Sequence, residues 1–124
     1  YANFKPDKGN YVKDGNLITA RVGSYSPNEF GLYDMAGNVS EWTSSAYTET
    51  ANLHTSDMNP EYQYNAAKED PYKMKRKIVR GGSWKDVSNF VGADVRMLEY
   101  QNEQRSYIGF RCVRSQIGFA KGRK

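Results

Sequence analysis

Cysteine is almost missing from this sequence: Cys112 is the only one in 124 residues, so the chain closes no internal disulfide and offers no cysteine-based zinc site. Histidine is equally scarce. His54 stands alone in the polar segment Asn52-Leu53-His54-Thr55, reads as a surface residue, and leaves a Ser-His-Asp triad or a multi-histidine iron site without partners. No apolar run approaches the roughly 20 residues of a membrane-spanning helix, and no signal peptide opens the chain. The first residue is Tyr1 and not Met, which suggests a fragment with any targeting segment upstream. No internal repeat is present.

What is there suffices for one hydrophobic core and not for two. Hydrophobic residues make up 38% and aromatics 14%, ten of them Tyr. The net charge of +4 comes largely from Lys73–Lys77 and Lys121–Lys124. No recognition helix and no basic groove interleaved with aromatics accompanies these clusters, so they read as a solvated linker and a frayed end, with no nucleic-acid partner.

Two stretches organise the chain. Ile78–Trp84 (Ile-Val-Arg-Gly-Gly-Ser-Trp) enters as a β-branched strand, breaks at Gly81-Gly82 and places Trp84 beside the break. Ile108–Val113 has the period of a half-buried strand, with Ile108, Phe110 and Cys112 on the apolar side and Cys112 a buried, inert thiol. Further strands are expected from Val39 through Thr43 and around Ala93–Leu98, with a turn at Asp86–Phe90 and a polar loop at Glu99–Ser106. The connection Ser44–Asp70 exceeds an ordinary loop and is expected to hold a short helix near Tyr64–Lys68.

Two segments are rich in oxygen ligands. Asn3, Asp7, Asp14 and Asn16 lie in turn-forming sequence at the start, where ordinary Asx turns compete with a hard cation as the explanation. In Ser24–Trp42, Pro27-Asn28 starts a turn and Gly31 and Gly37 break any helix. Asp34 and Glu41, with loop carbonyls between them, can wrap an oxygen-coordinated ion, although the spacing is not that of an EF-hand.

Gly31-Leu-Tyr-Asp-Met-Ala-Gly-Asn-Val-Ser-Glu-Trp42, Arg80-Gly-Gly-Ser-Trp84 and Gly109-Phe-Arg-Cys112, in that order, resemble the formylglycine-generating-enzyme (sulfatase-modifying factor) family. The resemblance implies an α+β, irregular, loop-rich variant of the C-type lectin fold with short antiparallel strands, and it makes residues 1–124 the C-terminal part of a single domain. It implies structural Ca²⁺ at two places. One would use Asn3, the Phe4 carbonyl, Asp14 and the Asn16 carbonyl; the other would use Asp34, the carbonyls of Gly37 and Val39, and Glu41. The family's two catalytic cysteines fall on Asp86 and Val91, so the resemblance implies no oxidase activity.

A closer resemblance lies in Asp57-Met-Asn-Pro60, Tyr62–Ala66, Lys75–Asp86, Glu99-Tyr-Gln101 and Arg105–Val113. These look like the gliding-motility and porin-secretion lipoproteins GldK, PorK and GldJ of the type IX secretion apparatus of Bacteroidota. That likeness implies a non-catalytic scaffold on the periplasmic face of the outer membrane, held by a lipid anchor upstream of this chain. Its partners would be other subunits of the complex, with a ring and an N-type partner for the K type. Tyr47–Lys77 and Glu99–Ser106 are the candidate contact surfaces. A ligand- or carbohydrate-binding receptor is the alternative. An altered enzyme using Asp86, Asp94 or Glu99 as acid or base is a third reading.

Overall fold

The structure is a computed structural model that describes residues 2–6, 18–49, 62–92 and 94–114. Its centre is a four-stranded sheet made of β1 (Ser40–Ala46), β2 (Arg76–Arg80), β3 (Met97–Tyr100) and β4 (Ile108–Gly109), in the order β3-β2-β1-β4. β2 lies antiparallel to both neighbours, with Glu41 opposite Arg80, Trp42 opposite Val79 and Ile78 opposite Leu98. β4 runs parallel to β1.

β2 is flanked on both edges, and its middle residues Lys77, Ile78 and Val79 are all buried in place of an in-out alternation. The two β-branched residues suit that pleated, enclosed position, and with Ala20, Ala46 and Val91 they form the buried apolar core among the described residues. The strand stops where Gly81 (φ 91°) and Gly82 (φ 66°) turn the backbone left-handed. A Cβ on Gly82 would lie 2.6 Å from the Phe90 carbonyl oxygen and 2.8 Å from the Val91 Cα, so the chain beyond the break packs directly on glycine backbone.

Several expectations are corrected. β4 has two residues and ends at Gly109, leaving Phe110 78% and Val113 89% exposed and Cys112 exposed, not buried. The parallel edge pair with β1 supplies too short a ladder to carry the alternation further. The parallel pair also departs from an all-antiparallel sheet, and the described helical residues are 3₁₀ turns at Tyr72–Lys75 and Ser88–Phe90. The helix expected at Tyr64–Lys68 is not formed: Asp70 accepts hydrogen bonds from the Tyr64 hydroxyl and the Ala67 N–H, both at 2.7 Å, which closes a turn there. The strand expected around Ala93–Leu98 starts instead at Met97, after a turn in which the Val95 N–H donates to Gly92, while Ala93 itself lies outside the described residues.

The basic cluster Lys73–Lys77 is not a solvated linker throughout. Lys77 is buried in β2, and its ammonium donates to the Ser44 carbonyl (3.2 Å), the Tyr64 carbonyl (2.7 Å) and Asn65 Oδ1 (2.8 Å). Burial pulls its pKa down from the ordinary lysine value, and the three oxygens supply the partners a buried cation requires. No described helix is long and apolar enough to cross a membrane.

Candidate functional site

The loop before β1 is folded by its own polar residues. Asn28 Oδ1 accepts the N–H groups of Phe30 and Leu32, and the Gly31 N–H donates back to the Asn28 carbonyl, forming the turn expected at Pro27-Asn28. Asp34 (φ 52°), Gly37 (φ 74°) and Asn38 (φ 66°) then take left-handed conformations, which Asp and Asn tolerate better than other side chains. Gly37 is required there for a second reason, since a Cβ would collide with the main chain of Asn3.

Asn38 is the hub that sequence reasoning missed. Its side chain accepts from the Ala20 N–H (2.9 Å) and donates to the Ala20 carbonyl (3.3 Å), while its main chain joins Asn3 and Trp84. The signal available was the Gly37-Asn38 pair, a left-handed dipeptide just ahead of a strand.

This arrangement brings Asp34, Gly37, Val39 and Glu41 to the wall of one open cavity of about 480 Å³, together with Phe110 and Arg111. Two carboxylates and two peptide carbonyls are oxygen donors, the chemistry of a hard cation and not of zinc. Among the described residues no three His, Cys, Asp or Glu side chains converge, so an ion here needs those carbonyls. One oxygen of Asp34 is engaged by the Gly23 N–H at 2.7 Å. The four residues named by the resemblance thus line one cavity, and their oxygens are of the type a hard cation takes.

Arg111 lies in the cavity wall. Its Nε contacts both Glu41 oxygens (3.0 and 2.8 Å), Nη2 contacts Glu41 again, and Nη1 and Nη2 donate to the carbonyls of Tyr33 (3.0 Å) and Asp34 (3.2 Å). The Glu41 carboxylate raises the Arg111 pKa further above its ordinary value, so the guanidinium is permanently charged.

The first oxygen set is described only in part. Asn3 is buried, its Nδ2 donates to the Ile18 carbonyl at 2.6 Å, and its carbonyl accepts from the Asn38 N–H at 2.7 Å. Phe4 is half-buried beside it. Asp7, Asp14 and Asn16 lie outside the described residues, as does His54.

Across the glycine break, Asp86 and Val91 are both buried. Asp86 Oδ2 accepts from the Ser83 N–H (3.0 Å) and the Ser83 hydroxyl (2.6 Å), and Oδ1 accepts from Lys85 (2.9 Å). Its main chain ties in the N-terminal segment, because the Lys5 N–H donates to the Asp86 carbonyl at 2.9 Å. Val91 packs against Gly82. The other two acid-base candidates lie apart. Asp94 is exposed, and Glu99 is paired with Arg105 at 2.8 Å.

The two expected contact surfaces are joined. Tyr72 stacks on Tyr100 with centroids 4.0 Å apart, and Gln101 donates to the Lys75 and Ala66 carbonyls, both at 2.8 Å. Arg76 lies over the Tyr47 ring at 4.8 Å and contacts Glu49, which also pairs with Lys73.

Comparison with known proteins adds what geometry does not supply. Residues 1–116 match the sulfatase-modifying factor enzyme 1-like domain. The formylglycine-generating enzyme of Streptomyces coelicolor is 31% identical over 107 residues, which cover 84% of this chain and 32% of that protein. An inactive C-alpha-formylglycine-generating enzyme 2 from Bos taurus is 31% identical over 112 residues, covering 86% of this chain and 30% of that protein. The solved structure of PvdO from Pseudomonas aeruginosa superposes with a TM-score of 0.68 at 29% identity, over 89% of this chain and 37% of that one. The chain therefore spans about a third or less of the length of the curated relatives it matches.

Proposed function

This chain belongs to the sulfatase-modifying factor enzyme 1-like domain family, and on that premise we propose that it is a catalytically silent member serving as a rigid scaffold for protein assembly. Both active enzymes and inactive counterparts occur among its relatives. The observation that carries the reading is Asp86. At the position expected for the first catalytic cysteine stands a buried carboxylate whose oxygens are consumed by Ser83 and Lys85, and at the second stands Val91 in the core. A carboxylate so engaged has no thiolate chemistry and offers no soft copper ligand. Its work is to hold the Ser83–Val87 turn.

The scaffold reading extends to metal. Asp34, Gly37, Val39 and Glu41 would hold one structural Ca²⁺, and Asn3 and Phe4 would contribute with Asp14 and Asn16 to another. Bound there, the ion would supply positive charge and oxygen coordination to loops outside the buried core.

The finer reading is a subunit of the type IX secretion and gliding-motility apparatus, facing the periplasm from an outer-membrane lipid anchor. It rests on the sequence likeness at Lys75–Asp86 and Arg105–Val113. The surface built from Tyr47, Tyr72, Arg76 and Tyr100 suits it, since Tyr and Arg are favoured at protein interfaces.

Two experiments test these readings. The full-length protein, incubated with a cysteine-containing sulfatase peptide, copper and oxygen, is expected to yield no formylglycine; turnover would defeat the silent reading. Isolation of the full-length protein from mild-detergent membranes, with mass spectrometry of its companions, is expected to return a complex of fixed composition. A clean monomer would defeat the scaffold, and a complex lacking secretion or motility subunits would defeat the finer assignment alone.

A further inference from the structure

The cavity before β1 already contains a cation. Arg111 reaches it from two residues beyond β4, and its partners belong to two other pieces of chain: Glu41 in β1 and the main-chain oxygens of Tyr33 and Asp34 in the preceding loop. A guanidinium gripping both oxygens of one carboxylate is the strongest geometry such a pair adopts. Both side chains are partly shielded, at 29% exposure for Arg111 and 24% for Glu41.

We propose that Arg111 is the resident cation of this cavity: it holds the loop against β1 and the end of β4 without a metal, and it weakens divalent-ion binding by occupying Glu41. The inference rests on the metal reading above and adds a competitor to it. An incoming ion finds one Asp34 oxygen already bonded to the Gly23 N–H. It must therefore take Glu41 oxygen from the guanidinium, against the repulsion of a like charge in the same partly shielded space. The loops are thus expected to stay closed whether or not calcium is present, with calcium affinity set by how firmly Arg111 holds Glu41.

The test is calcium titration calorimetry and thermal melting of the full-length protein, in calcium chloride and in EGTA, for wild type, R111Q and R111K. Wild type should melt at nearly the same temperature in both solutions. R111Q should melt lower in EGTA, recover most of that loss in calcium, and bind calcium about tenfold more tightly, the size of one competing charged contact removed. R111K keeps the charge but not the two-oxygen grip, so its affinity should fall between the two. Equal calcium affinity in wild type and R111Q would overturn the role of Arg111 while leaving the metal reading intact. Binding to neither would overturn both. Should R111Q fail to fold, R111K decides: affinity unchanged from wild type overturns the proposal, and tighter binding supports it.

Discussion

Two regions meet at the same end of the sheet, where Glu41 of β1 faces Arg80 of β2, and they solve the problem of holding a loop in opposite ways. On the β2 side, the glycine break is dry: Ser83 is fully buried, Asp86 and Val91 nearly so, and side chain packs on bare backbone. On the β1 side, the cavity of Asp34, Glu41 and Arg111 is open and charged. Main-chain bonds from Gly37 to Gly81 (2.8 Å) and from Trp84 to Asn38 (2.9 Å) stitch them together. The difference teaches that one loop is held by close packing on glycine backbone and the other by a cluster of charged side chains.

The sharpest way to break this pairing is at the stitch. Gly37→Ala places a Cβ against Asn3 in a left-handed backbone, and the expected loss is about 3–5 kcal/mol from strain plus overpacking. Urea unfolding measures it. A loss below about 1 kcal/mol would mean that the seam yields and that the two regions are independent.

Next in size is Asp86→Ala, which strips the partner from the buried Ser83 N–H and hydroxyl and should cost about 2–3 kcal/mol. Asp86→Asn keeps one acceptor and should cost less. Thermal melting ranks the two, and a stable D86A protein that had lost an activity would return this carboxylate to catalysis.

The smallest effect expected lies at an ion pair on β3. Burial pushes the Glu99 carboxyl upward, but the Arg105 guanidinium and the Tyr100 N–H outweigh it and leave its pKa below the ordinary 4.5. A carboxylate depressed in the folded state contributes stability above its ordinary range and loses it as pH falls through the folded value. Arg105 is 38% exposed, so solvent screening holds the contribution to about 1 kcal/mol or less. Melting curves of wild type and Glu99→Gln should differ slightly at neutral pH and converge in acid. Curves that stay equally separated at every pH would remove the ion pair as the cause.

Local chemistry made much of this legible in advance. Ile78 and Val79 announced a strand, Gly81-Gly82 its end and Pro27-Asn28 a turn. Each depends on residue type and near neighbours. The strand expected to run to Val113 failed because alternation describes which side a residue faces and not whether anything covers that side. The same limit hid Lys77, whose charge predicts solvent until Ser44, Tyr64 and Asn65 are folded around it.

The sequence by itself determined the turns, the glycine break and the membership in a family. Only the tertiary structure decided that Asp86 is buried against Ser83 and that Arg111, 70 residues from Glu41, sits in the cavity its partner lines. Short-range rules fix backbone conformation, but a charge acquires its role from whichever distant groups the fold brings within hydrogen-bonding reach.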